Sequence, residues 1–166
     1  MARTNRGETK SRDRSTVALT ATTVLGIALA VLVADQAQGL ELPGSGWIWL
    51  AAGAATVGAG FALRLWSIRT LGRFFKYRVV VQEGHEVVDS GPYRLVRHPS
   101  YTGMVACSAG VGLMLGNWLS VLVAAAPTLI GFTVRLLGEE RTLAAELGVP
   151  YRDYMKRTWR LIPHVW

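Results

Sequence analysis

At 166 residues the chain has room for one domain, and with 51% apolar and 17% charged residues it falls below the roughly 25% charge of an ordinary soluble domain. The net charge of +7 would suit nucleic acid or an anionic membrane surface, but the basic residues flank apolar runs and no hydrophilic domain carries them, which argues against nucleic acid. Cys107 is the only cysteine, so an intrachain disulfide and a cysteine zinc cluster are both excluded, and its apolar setting marks a small buried hydrophobe.

Residues 1–15 form a basic tail. Val17–Ala34 follows without a charge, and as a helix it reaches about 27 Å, close to the thickness of a bilayer core. A basic leader before an apolar run also fits a cleaved signal peptide, but this run is long for one and Asp35-Gln36 is a poor cleavage site. Trp47–Leu63 is a second uncharged stretch. The apolar region between Tyr101 and Val134 is broken at Gly116-Asn117 and reads as a helical hairpin with arms Tyr101–Leu115 and Trp118–Val134. All 18 Lys and Arg residues precede the first run, follow the second up to Arg97, or follow the fourth. The positive-inside rule then puts both termini and the 64–100 segment in the cytoplasm. Small residues at four-residue spacing, Ala54, Gly58 and Ala62, then Ser108, Gly112 and Gly116, predict close helix packing within the monomer.

Two cytoplasmic stretches, 71–101 and 135–163, border the hairpin at the same end and hold His85 and His98. Pro99 suits a first helical turn, where free backbone N–H groups face a polar or anionic ligand. His98 and Tyr101 add side-chain donors there, and Gly103 leaves room for close approach. For His98 alone a capping or satisfied structural histidine is the default reading, and Gly91-Pro92-Tyr93 reads as a turn whose aromatic either reaches toward the site or sits at the interface. Arg135 and Glu139 share one helix face with Glu140 adjacent; a structural ion pair is the plain reading, but Arg ahead of Glu is the weaker order, and charges at a lipid boundary favour function. Tyr151, Tyr154, Lys156 and Arg157 suggest a membrane-surface helix. No GxGxxG follows a strand, no serine elbow occurs, and the histidines lack a metal-binding spacing, so no metal is expected.

The set Leu71-Gly72-Arg73-Phe74-Phe75, Gly84-His85, Gly91-Pro92-Tyr93-Arg94, Arg97-His98-Pro99-Ser100-Tyr101-x-Gly103, Arg135-x-x-x-Glu139-Glu140, Tyr151-x-x-Tyr154 and Arg160-Leu161-Ile162-Pro163 resembles the isoprenylcysteine carboxyl methyltransferase family, its bacterial branch in particular. The resemblance implies an all-α integral membrane protein of about four transmembrane helices, with a C-terminal hairpin and cytoplasmic cofactor-binding segments. It covers the C-terminal part and implies a methyltransferase core (71–166), which follows the tail (1–15) and the two N-terminal helices (16–70) read from charge and hydropathy. It also implies S-adenosylmethionine as cofactor, with S-adenosylhomocysteine as product. His85, Glu86, Val87, Val88, Tyr93, His98, Pro99, Ser100, Tyr101, Gly103, Glu139 and Glu140 would line the cofactor, and Arg135 would face the substrate carboxylate, with Arg135 and Glu139 as the catalytic pair. The chain is shorter than eukaryotic members, which speaks against a tunnel for a long prenyl chain.

The chemistry agrees with such a site. The sulfonium methyl is already activated, and a carboxylate acceptor with a reference pKa near 4 needs no general base, so the protein has mainly to align the reactants and exclude water. The expected function is carboxyl O-methylation of a lipophilic or lipid-modified acceptor drawn from membrane lipid, in the cytoplasmic membrane of a bacterium. The rivals are a phospholipid or amine N-methyltransferase of the same fold, which would need a proton acceptor, and a non-enzymatic scaffold or lipid-binding protein.

Overall fold

The computed structural model describes residues 6–36, 39–72 and 87–166. They form five helices, α1 (Arg6–Ala34), α2 (Gly46–Leu71), α3 (Pro99–Met114), α4 (Trp118–Glu146) and α5 (Val149–Arg157), with a 3-10 turn at Gly91–Arg94. Among the described residues there is no strand, only isolated bridges that join Glu41 to Asn117 and Val96 to Trp159. His85 and Glu86 lie outside the described residues.

The helices face their large apolar side chains outward. Val24, Leu32, Leu122, Ile130 and Val134 are exposed, while Ser67, Ser108, Ser120 and Thr128 are buried. This is the arrangement lipid demands. Hydrocarbon tails are as apolar as leucine, so helices associate through close backbone approach and hydrogen bonds. Three of them, α1 from Thr16, α2 and α4, are long and apolar enough to cross a membrane. The fourth, α3, has 16 residues, about 24 Å, and packs between α2 and α4.

Glycines set the α2–α3 seam. A Cβ on Gly53 would stand 2.5 Å from the Gly110 carbonyl oxygen, and one on Gly60 2.6 Å from that of Gly103. The buried face of α2 is therefore Gly53, Gly60 and Ser67. Ala54, Gly58 and Ala62, the series expected to pack, are exposed. The spacing finds small residues but cannot tell which face meets a helix, because the lipid face of α2 is rich in small residues too. In α3, Gly112 does lie against Val121 of α4, and Ser108 Oγ and Thr128 Oγ1 share a hydrogen bond of 3.0 Å.

Along α4, α1 runs antiparallel. Thr16 meets Arg135, Leu19 meets Gly131, and Ser120 Oγ donates to the Ala30 carbonyl at 3.0 Å. Pro127, inside α4, cannot donate to the Val123 carbonyl. Gly26 packs at that spot, where a Cβ would come within 3.1 Å of the Val123 oxygen and 3.2 Å of Pro127 Cγ. Cys107 is only half-buried, its thiol 3.5 Å from the Val57 carbonyl oxygen.

At the turn end, Gly116 takes φ +75° and Asn117 caps α4 by accepting from the Ser120 N–H at 2.7 Å. The 39–45 loop is pinned there by Leu42 N–H to the Gly116 carbonyl at 2.8 Å and Trp118 N–H to the Leu40 carbonyl at 3.0 Å. At the other, basic end the helices outrun the apolar stretches. Helix α2 continues past Arg64 and Arg69 until Gly72, at φ +52°; α4 continues past Val134 to Glu146; and α1 is already helical at Arg6. A charge does not end a helix, whereas a backbone turned left-handed does.

Candidate active site

At the basic end, two segments some sixty residues apart are joined. Gly91 at φ +55° sits against Thr70 and Trp66 of α2 and starts the 3-10 turn that turns Tyr93 inward. The extended residues after it pair with the chain beyond α5. Trp159 N–H donates to the Leu95 carbonyl at 3.0 Å, Arg97 N–H to that of Trp159 at 2.7 Å, and His98 N–H to that of Arg160 at 3.0 Å. Side chains reinforce the join: Tyr154 OH donates to the Tyr93 carbonyl at 2.8 Å and Thr102 Oγ1 to the Leu161 carbonyl at 2.8 Å.

The tyrosines of α5 do not lie on a membrane surface as expected. Tyr151 and Tyr154 are buried, and only the charged face, with Lys156 paired to Asp153 at 2.7 Å and Arg157 to Asp89 at 2.8 Å, points outward. Burial raises the pKa of both phenols, and of Tyr93, above the ordinary value. For Tyr93 the neighbouring Tyr154 and Glu139 raise it further while Arg64 opposes them, so this phenol feels charges from both α2 and α4.

The adjacent carboxylates of α4 serve different clusters, because successive helical residues point roughly 100° apart. Glu139 accepts from Tyr101 OH at 2.7 Å and from Arg135 Nε at 3.0 Å. Arg135 also donates through Nη1 to Thr16 Oγ1 of α1 at 2.9 Å. Tyr101 packs on Phe132, ring centroids 4.5 Å apart, and lies nearly parallel to His98 at 5.4 Å. Glu140, 3% exposed, accepts instead from Arg97 Nε at 2.7 Å and Arg160 Nε at 3.0 Å. Arg97 Nη1 donates onward to the carbonyls of Met155, at 3.0 Å, and Thr158. His98 Nε2 lies 3.4 Å from Glu140 Oε1, out of hydrogen-bond alignment, and no other described group partners it.

On its α2 side the first turn of α3 offers Ser100, whose Oγ accepts from Arg64 Nη1 at 2.8 Å. Of the residues singled out from sequence, Tyr93, His98, Pro99, Ser100, Tyr101, Arg135 and Glu139 gather around the start of α3 and the end of α4; Val87 and Val88 are half-buried ahead of the turn. Two have other tasks than the cofactor contact expected of them. A Cβ on Gly103 would stand 2.5 Å from the Gly60 carbonyl oxygen, so the room it leaves is filled by the α2 backbone. Glu140 is occupied by two arginines and holds the C-terminal segment. Sequence reasoning passed over Thr16, Arg64 and the Arg97–Arg160 clamp; the available signal was that Arg64 is the first charge after an apolar run.

These features define an all-helical integral membrane protein with a buried polar site at one mouth of a helical hairpin. Residues 53–145 match the isoprenylcysteine carboxyl methyltransferase (ICMT) family, and the chain belongs to it. It is 34% identical over 108 residues to protein-S-isoprenylcysteine O-methyltransferase B of Arabidopsis thaliana, a match over 64% of this chain and 55% of that protein. To the protein-S-isoprenylcysteine O-methyltransferase of Rattus norvegicus it is 36% identical over 120 residues, 70% of this chain and 42% of the relative. The chain thus spans about half the length of these relatives. Its fold is similar to that of the eukaryotic intramembrane Ras methyltransferase ICMT, with a TM-score of 0.65 and 23% identity over 98% of this chain and 55% of that one.

Proposed function

We propose that the chain is an S-adenosylmethionine-dependent methyltransferase of the membrane, which esterifies the carboxylate of a lipophilic or isoprenoid-like acceptor at the cytoplasmic face. The observation that carries this is the joining of 93–101, 135–140 and 151–161 around one mouth of the α3–α4 hairpin, in a chain of the ICMT family. Placing both termini on the cytoplasmic side belongs to the same reading and rests on the basic clusters, and a bacterial inner membrane rests on the resemblance to the family's bacterial branch.

The residues suit the cofactor. His98, Tyr93 and Tyr101 offer polar and aromatic walls beside the first turn of α3. When bound, S-adenosylmethionine supplies a methyl on a positively charged sulfur. The protein's part is orientation. Glu139 and Thr16 fix the Arg135 guanidinium from two sides, so that it meets an acceptor carboxylate without first being reorganised. Tyr101, holding the second oxygen of Glu139, keeps that carboxylate from swinging toward the electrophile. An ionised acceptor has no proton to lose, so no base is assigned.

The test is incubation of membranes or detergent-purified protein with methyl-labelled cofactor and lipophilic carboxylic acids. Label that is volatile after mild base, as an ester's methyl is, supports the reading. Base-stable label moves the acceptor to an amine, and no transfer by protein that remains folded removes the enzyme assignment.

A further inference from the structure

Apart from Arg64, the half-buried arginines about the site are each matched by a carboxylate, as are two exposed cations of α5. Arg97 and Arg160 share Glu140, Arg135 pairs with Glu139, Lys156 with Asp153 and Arg157 with Asp89. The half-buried Arg64 is different. Among the described residues its guanidinium meets the Ser100 hydroxyl at 2.8 Å and no carboxylate. A hydroxyl does not neutralise a guanidinium, and an uncompensated charge at the lipid boundary is costly unless an anion joins it. Ser100 belongs to the first turn of α3, where the helix dipole adds positive potential. The residue that opens this turn, His98, is 8% exposed, and its Nε2 stands 3.4 Å from Glu140 Oε1. Cation and helix terminus meet at Ser100.

We infer that Arg64 holds the amino-acid carboxylate of the methyl donor; this rests on the reading of the site as an S-adenosylmethionine pocket. Transfer to a carboxylate brings two carboxylates into one small site, and each needs its own cation. Ser100 ties one cation, Arg64, to the α2 side of α3, while Tyr101 leads through Glu139 to the other, Arg135, on the α4 side. Adjacent residues of one helix thus address the two anions from directions roughly 100° apart. The split keeps the donor's carboxylate from competing for the cation that orients the acceptor.

Calorimetry on the detergent-solubilised full chain tests this with two probes, S-adenosylhomocysteine and 5′-methylthioadenosine, which has the same nucleoside and a thioether but no amino-acid group. Arg64→Gln should weaken S-adenosylhomocysteine roughly ten- to a hundredfold, as loss of a charged hydrogen bond does, while methylthioadenosine binding stays within about twofold and reports an intact fold. Arg64→Lys, which keeps the charge without the planar fork, should recover part of the loss and serves if the glutamine variant does not fold. The acceptor KM should be unchanged. Equal weakening of both probes, no weakening of either, or a change confined to the acceptor KM overturns the assignment. Wild-type protein that is folded yet binds neither probe removes the pocket reading and this inference together, whereas wild-type binding with Arg64→Gln unaffected removes the inference alone.

Discussion

Replacing Glu140 by glutamine attacks the contact that closes the C-terminal segment over the mouth of the hairpin. The carboxylate is 3% exposed and accepts from Arg97 Nε at 2.7 Å and Arg160 Nε at 3.0 Å. Glutamine's carbonyl can keep one of these bonds, but its NH2 then faces the other guanidinium and no negative charge remains. A hydrogen bond to a charged group is worth about 1.5–3 kcal/mol. The Arg160 side chain is 31% exposed and belongs at the low end, and Arg97 keeps the carbonyls of Met155 and Thr158. With one charge-assisted bond lost and a buried cation uncompensated, docking of residues 149–166 should weaken by about 3 kcal/mol. At roughly 1.4 kcal/mol per tenfold, the undocked population rises about a hundredfold. Limited trypsin digestion in detergent reads this at Lys156 and Arg157, because cleavage follows the open population when reclosing is fast. Glu139→Gln leaves the clamp intact and should change cleavage less than about threefold. Wild-type cleavage of Glu140→Gln, or equal lability of both variants, would refute the division of labour between the two carboxylates.

Arg135→Lys keeps the charge but not the fork, so the acceptor KM should rise about tenfold or more while S-adenosylhomocysteine affinity holds; kinetics and calorimetry read the two separately, and loss of nucleotide binding instead would place Arg135 on the donor. Gly53→Ala puts a methyl 2.5 Å from the Gly110 carbonyl oxygen and should cost about 1–3 kcal/mol in thermal unfolding. Gly58→Ala, in open space, should be neutral or stabilise by up to about 1 kcal/mol. Tyr93, Tyr151 and Tyr154 have pKa values raised above 10.0, chiefly by burial. The folded state then holds protons that the unfolded chain releases near pH 10, so their contribution is complete below that pH and is lost as pH rises through the raised values. Tyrosinate absorbance should therefore appear together with unfolding, and reversible ionisation of all tyrosines near pH 10 in folded protein would contradict their burial.

Much of the fold was legible because it depends on local quantities. An uncharged run long enough to cross lipid announces itself, and Gly116-Asn117 combines a left-handed residue with a cap, so the hairpin turn could be read off two letters. Helix ends at the basic side were not legible from the charges, since Arg64, Arg69 and Arg135 are compatible with helix and only Gly72 and residues beyond Glu146 interrupt it. Nor was the packing face of α2. In a soluble helix the buried face is the apolar one, whereas in lipid apolar character is uniform and the contact is marked by fit. Gly53 and Gly60 meet Gly110 and Gly103, and nothing in the α2 sequence by itself ranks them above Gly58.

The site shows the same divide between neighbours along the chain and neighbours in space. Arg135 and Glu139 can be paired on paper because helical spacing brings them together, and they stand 3.0 Å apart. Thr16 of α1 and Ser100 of α3 are invisible as partners of Arg135 and Arg64 until the helices are packed. Thr16 and Arg64 both precede position 71, so the two leading helices are not a detached anchor: α1 braces the cation assigned to the acceptor and α2 supplies the one assigned to the donor. Glu139 and Glu140 make the point most sharply. The sequence gives their adjacency but not their directions, and one helical step separates a carboxylate that aims Arg135 from one that locks residues 95–98 to 159–160. Because each carboxylate holds its own arginines, acceptor orientation and C-terminal docking should be separately removable, one by Glu139→Gln and the other by Glu140→Gln.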